Sequence, residues 1–160
     1  MPVPFLAALI AVPLGAPVAP AVAVVEPARD AASARAFLAS IYRHYRKGGP
    51  GAPLGKPELL FEPVLAAAIR KDADAAEAAG DIGKMDADPF CNCQDFEAIA
   101  PSYGPVTIAG DKAEVTVGFT NFDTPVSTRF TLLWTRAGWR VFDMEYPEGG
   151  TFRAMYLPAS

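Results

Sequence analysis

Glu114-Val115-Thr116-Val117-Gly118-Phe119-Thr120-Asn121-Phe122 alternates in polarity, with Val115, Val117 and Phe119 on one face. A period of two marks a strand with one buried side. Phe122-Asp123-Thr124-Pro125 then turns the chain, and Thr128–Thr135 alternates again through Phe130, Leu132 and Trp134. Ala137-Gly138 predicts a tight hairpin into Trp139–Tyr146. Strict alternation there puts Trp139, Val141, Asp143 and Glu145 on one face and Arg140, Phe142, Met144 and Tyr146 on the other. Upstream, Val106-Thr107-Ile108 reads as a short strand before a Gly110-Asp111 turn. The stretch Thr151–Leu157 reads as a short helix or a frayed strand. The result is an antiparallel meander of about four strands.

Towards the N-terminus the period changes to that of a helix. Phe37, Leu38, Ile41 and Tyr45 fall on one side of an expected helix, with Arg35, Arg43 and Arg46 mainly on the other and Asp30 or Ser33 able to cap it. Gly48-Gly49-Pro50-Gly51 ends that helix. Pro57 and Pro63 each suit a first helical turn. They predict a short turn over 58–61 and a helix from 63 to about 79, with Val64, Leu65, Ala68 and Ile69 as its buried stripe and Gly80 as its stop. Helices first and strands afterwards predict an α+β domain, two helices packed on one face of a curved sheet.

The chain has 160 residues, 51% hydrophobic and 20% charged, with a net charge of −4. No basic stripe with interleaved aromatics occurs, which argues against nucleic acid as a partner. The first charged residue is Glu26. Before it, Phe5–Val12 is an apolar run and Ala21-Val22-Ala23 has the small-x-small pattern of a signal-peptidase site. The run is short of the ~20 apolar residues that span a bilayer. The expected organisation is therefore a signal peptide over 1–23, a linker over 24–32 and a single domain over 33–160, in a periplasmic or secreted protein that is membrane-peripheral at most. No cysteine stands near the cleavage point, so a lipid anchor is not expected.

Between the helical and strand-rich halves lies Asp86-Ala87-Asp88-Pro89-Phe90-Cys91-Asn92-Cys93-Gln94-Asp95-Phe96, which holds both cysteines. The Asp-Pro-Phe and Gln-Asp-aromatic elements of this segment resemble the hallmark of a bacterial family, domain of unknown function 3828. Phe37 and Tyr42–Tyr45 in the first helix, Phe61-Glu62-Pro63 and Trp139-Arg140-Val141 agree with that resemblance. It covers about residues 33–157. It implies the cone-like fold of nuclear transport factor 2-like proteins, a secreted or envelope location, and homodimerisation through the sheet. Cys91 and Cys93 stand where the family pattern has ordinary or small residues.

The candidate site residues each carry two readings. Asp88, Gln94 and Asp95 either hold turns by accepting backbone N–H bonds, or place a carboxylate base in an apolar pocket mouth. Asp143 and Glu145 either pair with Arg129, Arg140 or Arg153 or line a hydrated pocket. His44 titrates near neutral pH without help but lies beside the apolar face of its helix. Cys91 and Cys93 are a disulfide or two buried thiols, with a redox or metal role as a further alternative. No metal site and no cofactor are expected. The leading function is a non-catalytic binding protein for a small ligand or an envelope protein. The alternatives are a pocket enzyme of isomerase or dehydratase type using a carboxylate base, and a thiol redox protein. An enzyme requires a closed apolar pocket with convergent polar groups; redox exchange requires an exposed Cys91 sulfur.

Overall fold

A computed structural model describes residues 28–157; the expected signal peptide over 1–23 and residues 158–160 lie outside it. Helix α1 spans Ala31–Tyr42 and begins inside the segment read as linker. Asp30 accepts from the Ser33 backbone N–H while Ser33 Oγ accepts from the Asp30 N–H, a reciprocal cap. Its buried side is Ala34, Leu38, Ile41 and Tyr42, with Tyr45 beyond its end. A short α2, Pro57–Leu60, leads to α3, Pro63–Ala79. Glu62 caps α3, Pro63 opens it, and Gly80 at φ 67° ends it in a left-handed conformation that costs glycine least. Leu65, Ala66 and Ile69 face the core. Val64, expected in that stripe, is 58% exposed, because the face towards the sheet centres one position further round the helix.

Five strands form the sheet: β1 Ser102–Tyr103, β2 Thr107–Ala109, β3 Lys112–Asn121, β4 Thr124–Thr135 and β5 Gly138–Glu145. All pairings are antiparallel, in the order β1-β3-β4-β5, and β2 also pairs with β3. The domain is α+β, with its helices packed on an open antiparallel sheet of five strands. One face carries Val115, Val117, Phe119, Phe130, Leu132, Trp139 and Val141 into the core against the helices. The opposite positions, such as Glu114, Thr116, Thr120 and Arg129, are exposed. The β5 edge is covered rather than free. Phe61 bridges Val141 in parallel, the Glu62 N–H donates to the Val141 carbonyl, and Thr151 bridges Glu145. Helix α4, Phe152–Tyr156, follows that last bridge and buries Phe152 and Tyr156.

The alternation expected along β5 breaks at a register irregularity. Thr131 pairs with Asp143 but Leu132 pairs with Val141, so Phe142 is an extra residue. A bulge of one residue flips every later side chain to the other face. Trp139 and Val141 are buried as expected, but beyond the bulge Met144 is buried and Asp143 and Glu145 are not. The expected shared face of Trp139, Val141, Asp143 and Glu145 is thus corrected: the acids leave the core side.

The turn expected over 122–125 is tighter than its four residues. β3 and β4 pair without interruption to Asn121↔Thr124, leaving only Phe122 and Asp123 between them, at φ 45° and 63°. Pro125 fits inside β4 because it faces Thr120 at a position whose missing N–H points away from β3. There β4 has no other neighbour, since β5 pairs only from Arg129 onward. β1 likewise pairs only as far as Gly118. Residues 119–126 therefore pair with each other alone and extend past the rest of the sheet.

Candidate functional site

The central segment is held from below by three tyrosines. Asp88 and Cys93 bridge each other through paired backbone bonds of 2.9 and 3.2 Å. Asp88 Oδ1 accepts from the Phe90 N–H at 2.9 Å, and Tyr45 Oη donates to Asp88 Oδ2 at 2.6 Å. Tyr42 Oη donates to the Phe90 carbonyl and Tyr146 Oη to the Pro89 carbonyl. Burial first, and then the Asp88 charge, push the Tyr45 hydroxyl far up, so it remains a donor. The Phe90 ring lies between Phe61 and Phe130, with centroids 5.7 and 6.0 Å away. Cys91 and Cys93 are joined by a disulfide, with Cys91 fully buried and Cys93 half-buried. Both oxygens of Asp88 are thus engaged, Oδ1 within the turn and Oδ2 by Tyr45. The buried Cys91 sulfur lacks the exposure that thiol exchange requires.

Past Cys93 the chain surfaces. Gln94, Asp95 and Glu97 are exposed, and Asp95 Oδ1 accepts from the Phe96 N–H. Asn121, at the tip of the β3–β4 hairpin, is buried and clamps this stretch with both ends of its amide. Its Nδ2 donates to the Asp95 carbonyl at 3.0 Å, and its Oδ1 accepts from the Glu97 N–H at 3.1 Å. The next residue, Phe122, is 51% exposed, and Asp123 beside it is exposed. One end of the molecule therefore presents an aromatic ring, Gln94, and the acids Asp95, Glu97 and Asp123.

The remaining candidates lie apart. Asp143 Oδ1 accepts from the Met144 and Arg153 backbone N–H groups, which ties α4 to β5. Glu145 pairs with Arg129 at 3.2 Å on the exposed side of the sheet, beside a shallow hollow of about 220 Å³ that also includes Tyr146. His44 is half-buried, donates its backbone N–H to the Ile41 carbonyl, and lines a hollow of about 160 Å³ with Phe37, Pro53 and Leu59. The structure brings Gln94 and Asp95 together but spreads Asp88, His44, Asp143 and Glu145 over separate roles. Asp88 meets a second polar group, the Tyr45 hydroxyl, whereas Asp95 and Asp143 accept from backbone N–H groups and Glu145 pairs with Arg129.

Two features escaped the sequence reading. The turn over 122–125 is read from the sequence, but not that Phe122 and Asp123 alone form it in left-handed conformations, which alternation that stops at Asn121 and resumes at Thr124 allows. Glu62, only 3% exposed, meets Arg153 Nη1 at 2.6 Å and accepts from the Val64 and Leu65 N–H groups. Its Glu-Pro pairing before a helical run carries that capping signal. Arg153 also stacks on the Phe142 ring at 4.0 Å, whose other cation neighbour is Lys112 at 4.1 Å. Among the described residues no group of His, Cys, Asp and Glu is arranged to hold a metal ion, and no helix is long and apolar enough to cross a membrane.

No protein-family model matches the chain, and neither does any curated protein. Among solved structures it is similar to a chain of the type VI effector–immunity complex Tae3–Tai3 from Ralstonia pickettii. The identity is 23% and the TM-score 0.49, over 72% of this chain and 93% of that one. A selenomethionine form of the same complex matches at 22% identity and a TM-score of 0.49, over 72% and 94% of the two chains. A phospholipid-binding protein from Ralstonia solanacearum, in complex with a phospholipid, matches at 18% identity and a TM-score of 0.36, over 59% and 49%. At these values the likenesses assign no function.

Proposed function

We propose that this chain is an exported, non-catalytic binding domain of the bacterial envelope, of the domain of unknown function 3828 type on a cone-like sheet. It docks on a protein partner through the end formed by residues 94–97 and the β3–β4 hairpin tip. The observation that carries this reading is Phe122. A bulky residue at positive φ costs ~1–3 kcal/mol of local strain, and this one is retained where half its surface meets water. The exposed half of the ring adds nothing to the core, whereas a rigidly presented aromatic is the usual anchor of a protein interface. The surrounding Asp95, Glu97 and Asp123 select a partner surface that is basic around an apolar pocket. Export is supported by the apolar N-terminal segment and by the Cys91–Cys93 disulfide, which suits an oxidising compartment.

Photo-crosslinking tests this reading directly. A benzophenone amino acid replacing Phe122 should trap one basic envelope protein, and the same probe replacing Glu114, on the exposed sheet face, should not. Equal yields at both positions, or none at Phe122, would reject the docking end.

A further inference from the structure

A second site lies at the far end of β4 from the β3–β4 hairpin tip, independent of the docking end. Where α2 and α3 meet the β4–β5 hairpin, a cleft of about 350 Å³ has an apolar floor of Phe61, Pro63, Ala66 and Ala67. Its volume falls within the ~300–1,000 Å³ of small-molecule sites. Arg70, Arg140 and Glu58 supply its charge. Glu58 and Arg70 neutralise each other at 2.6 Å. Arg140 is different. Its Nε donates to the Glu58 carbonyl at 3.1 Å, and its Nη1 donates to the Ala137 and Trp139 carbonyls at 3.0 and 2.7 Å.

Those three bonds fix the guanidinium plane; among the described residues Arg140 pairs with no carboxylate, and beyond the three carbonyls its charge meets only the Phe37 ring, whose centroid is 5.9 Å from Cζ. A guanidinium has five N–H donors, so the two on Nη2 stay free for a ligand. Half-burial makes an unpaired cation costly, and an anion arriving in the cleft would remove that cost. The apolar floor beside it suits a hydrocarbon body. We infer that this cleft binds a single-tailed amphipathic anion, its carboxylate or phosphate on Arg140 Nη2 and its tail over Phe61, Pro63, Ala66 and Ala67.

Titrations of the folded domain with octanoate, octyl phosphate, octanol and octyltrimethylammonium, all below micelle-forming concentration, separate the contributions. The proposal expects saturable binding of at least one anion, with octanol and octyltrimethylammonium at least tenfold weaker. Preference for octanoate identifies a fatty-acid source, and preference for octyl phosphate identifies a phosphate-monoester source. Arg140→Gln should weaken anion binding at least tenfold. Ala67→Leu fills the exposed side of the cleft without touching the arginine and should block binding even if Arg140→Gln unfolds the protein. Absence of saturable anion binding, equal binding of octanol, or unchanged affinity in either folded variant would overturn the inference. None of these results bears on crosslinking at Phe122.

Discussion

Asp88 and Asp95 stand in the same segment and have the same chemistry, yet the structure gives them different work. Asp88 accepts a tyrosine hydroxyl and a backbone N–H below the surface, so its charge is a structural fixture. Asp88→Ala should cost ~2–3 kcal/mol, since bonds to a charged acceptor are worth more than neutral ones and Tyr45 would be left unpaired. Asp95→Ala should stay within ~0.5 kcal/mol, as expected for an exposed residue whose side chain bonds only to its neighbour. Urea unfolding of the two variants checks the contrast, and equal losses would contradict it. A turn-holding role for Asp88 and Asp95 was legible in the sequence. The division of roles was not, because it depends on Tyr42, Tyr45 and Tyr146, which arrive from distant positions in the chain. Gln94 and Asp95 are legible as candidates, but the exposure of Phe122 in its turn is not, because it depends on how closely β3 and β4 pair.

Periodicity carried most of the fold: the long strands, the helix over 63–79 and Gly80 as its stop follow from local pattern, but α1 ends at Tyr42, short of Tyr45 and of the glycines expected to stop it. The bulge at Phe142 did not. Alternation continues in the letters Val141-Phe142-Asp143-Met144, and only pairing with Thr131 and Leu132 shows that one residue is extra. The β5 edge was equally hidden, since its cover comes from residues 61–62 and 151. The Glu62–Arg153 pair fastens that cover. Removing the cation by Arg153→Met leaves Glu62 charged and buried, and should cost ~3 kcal/mol. Arg70→Ala, which breaks an exposed pair, should cost less than ~1 kcal/mol. Burial alone would push Glu62 up, but the bonds from Arg153, Val64 and Leu65 and the Arg153 charge together hold it below its ordinary value of 4.5. A carboxylate depressed in the folded state stabilises above its unfolded pKa, and this contribution is lost as pH falls through the folded value. The unfolding free-energy gap between wild type and Glu62→Gln should therefore narrow on acidification from neutral pH to below 4.5. A gap that widens would show that the glutamate is not held ionised.

The whole molecule separates support from presentation. Helices and one sheet face form the core. The tyrosine-held central segment connects that core to a protruding hairpin, and Asn121 joins the two. Phe122 is proposed to be kept for binding at the expense of stability, which is how functional positions commonly depart from the best local choice. Asparagine suits the first position of a two-residue hairpin turn with both φ angles positive. Phe122→Asn should raise the unfolding free energy by ~1 kcal/mol while abolishing capture of the partner by a crosslinker placed at Gln94. A variant that is more stable and no longer captured agrees with the account. A variant that is less stable, or is captured as well as wild type, contradicts it.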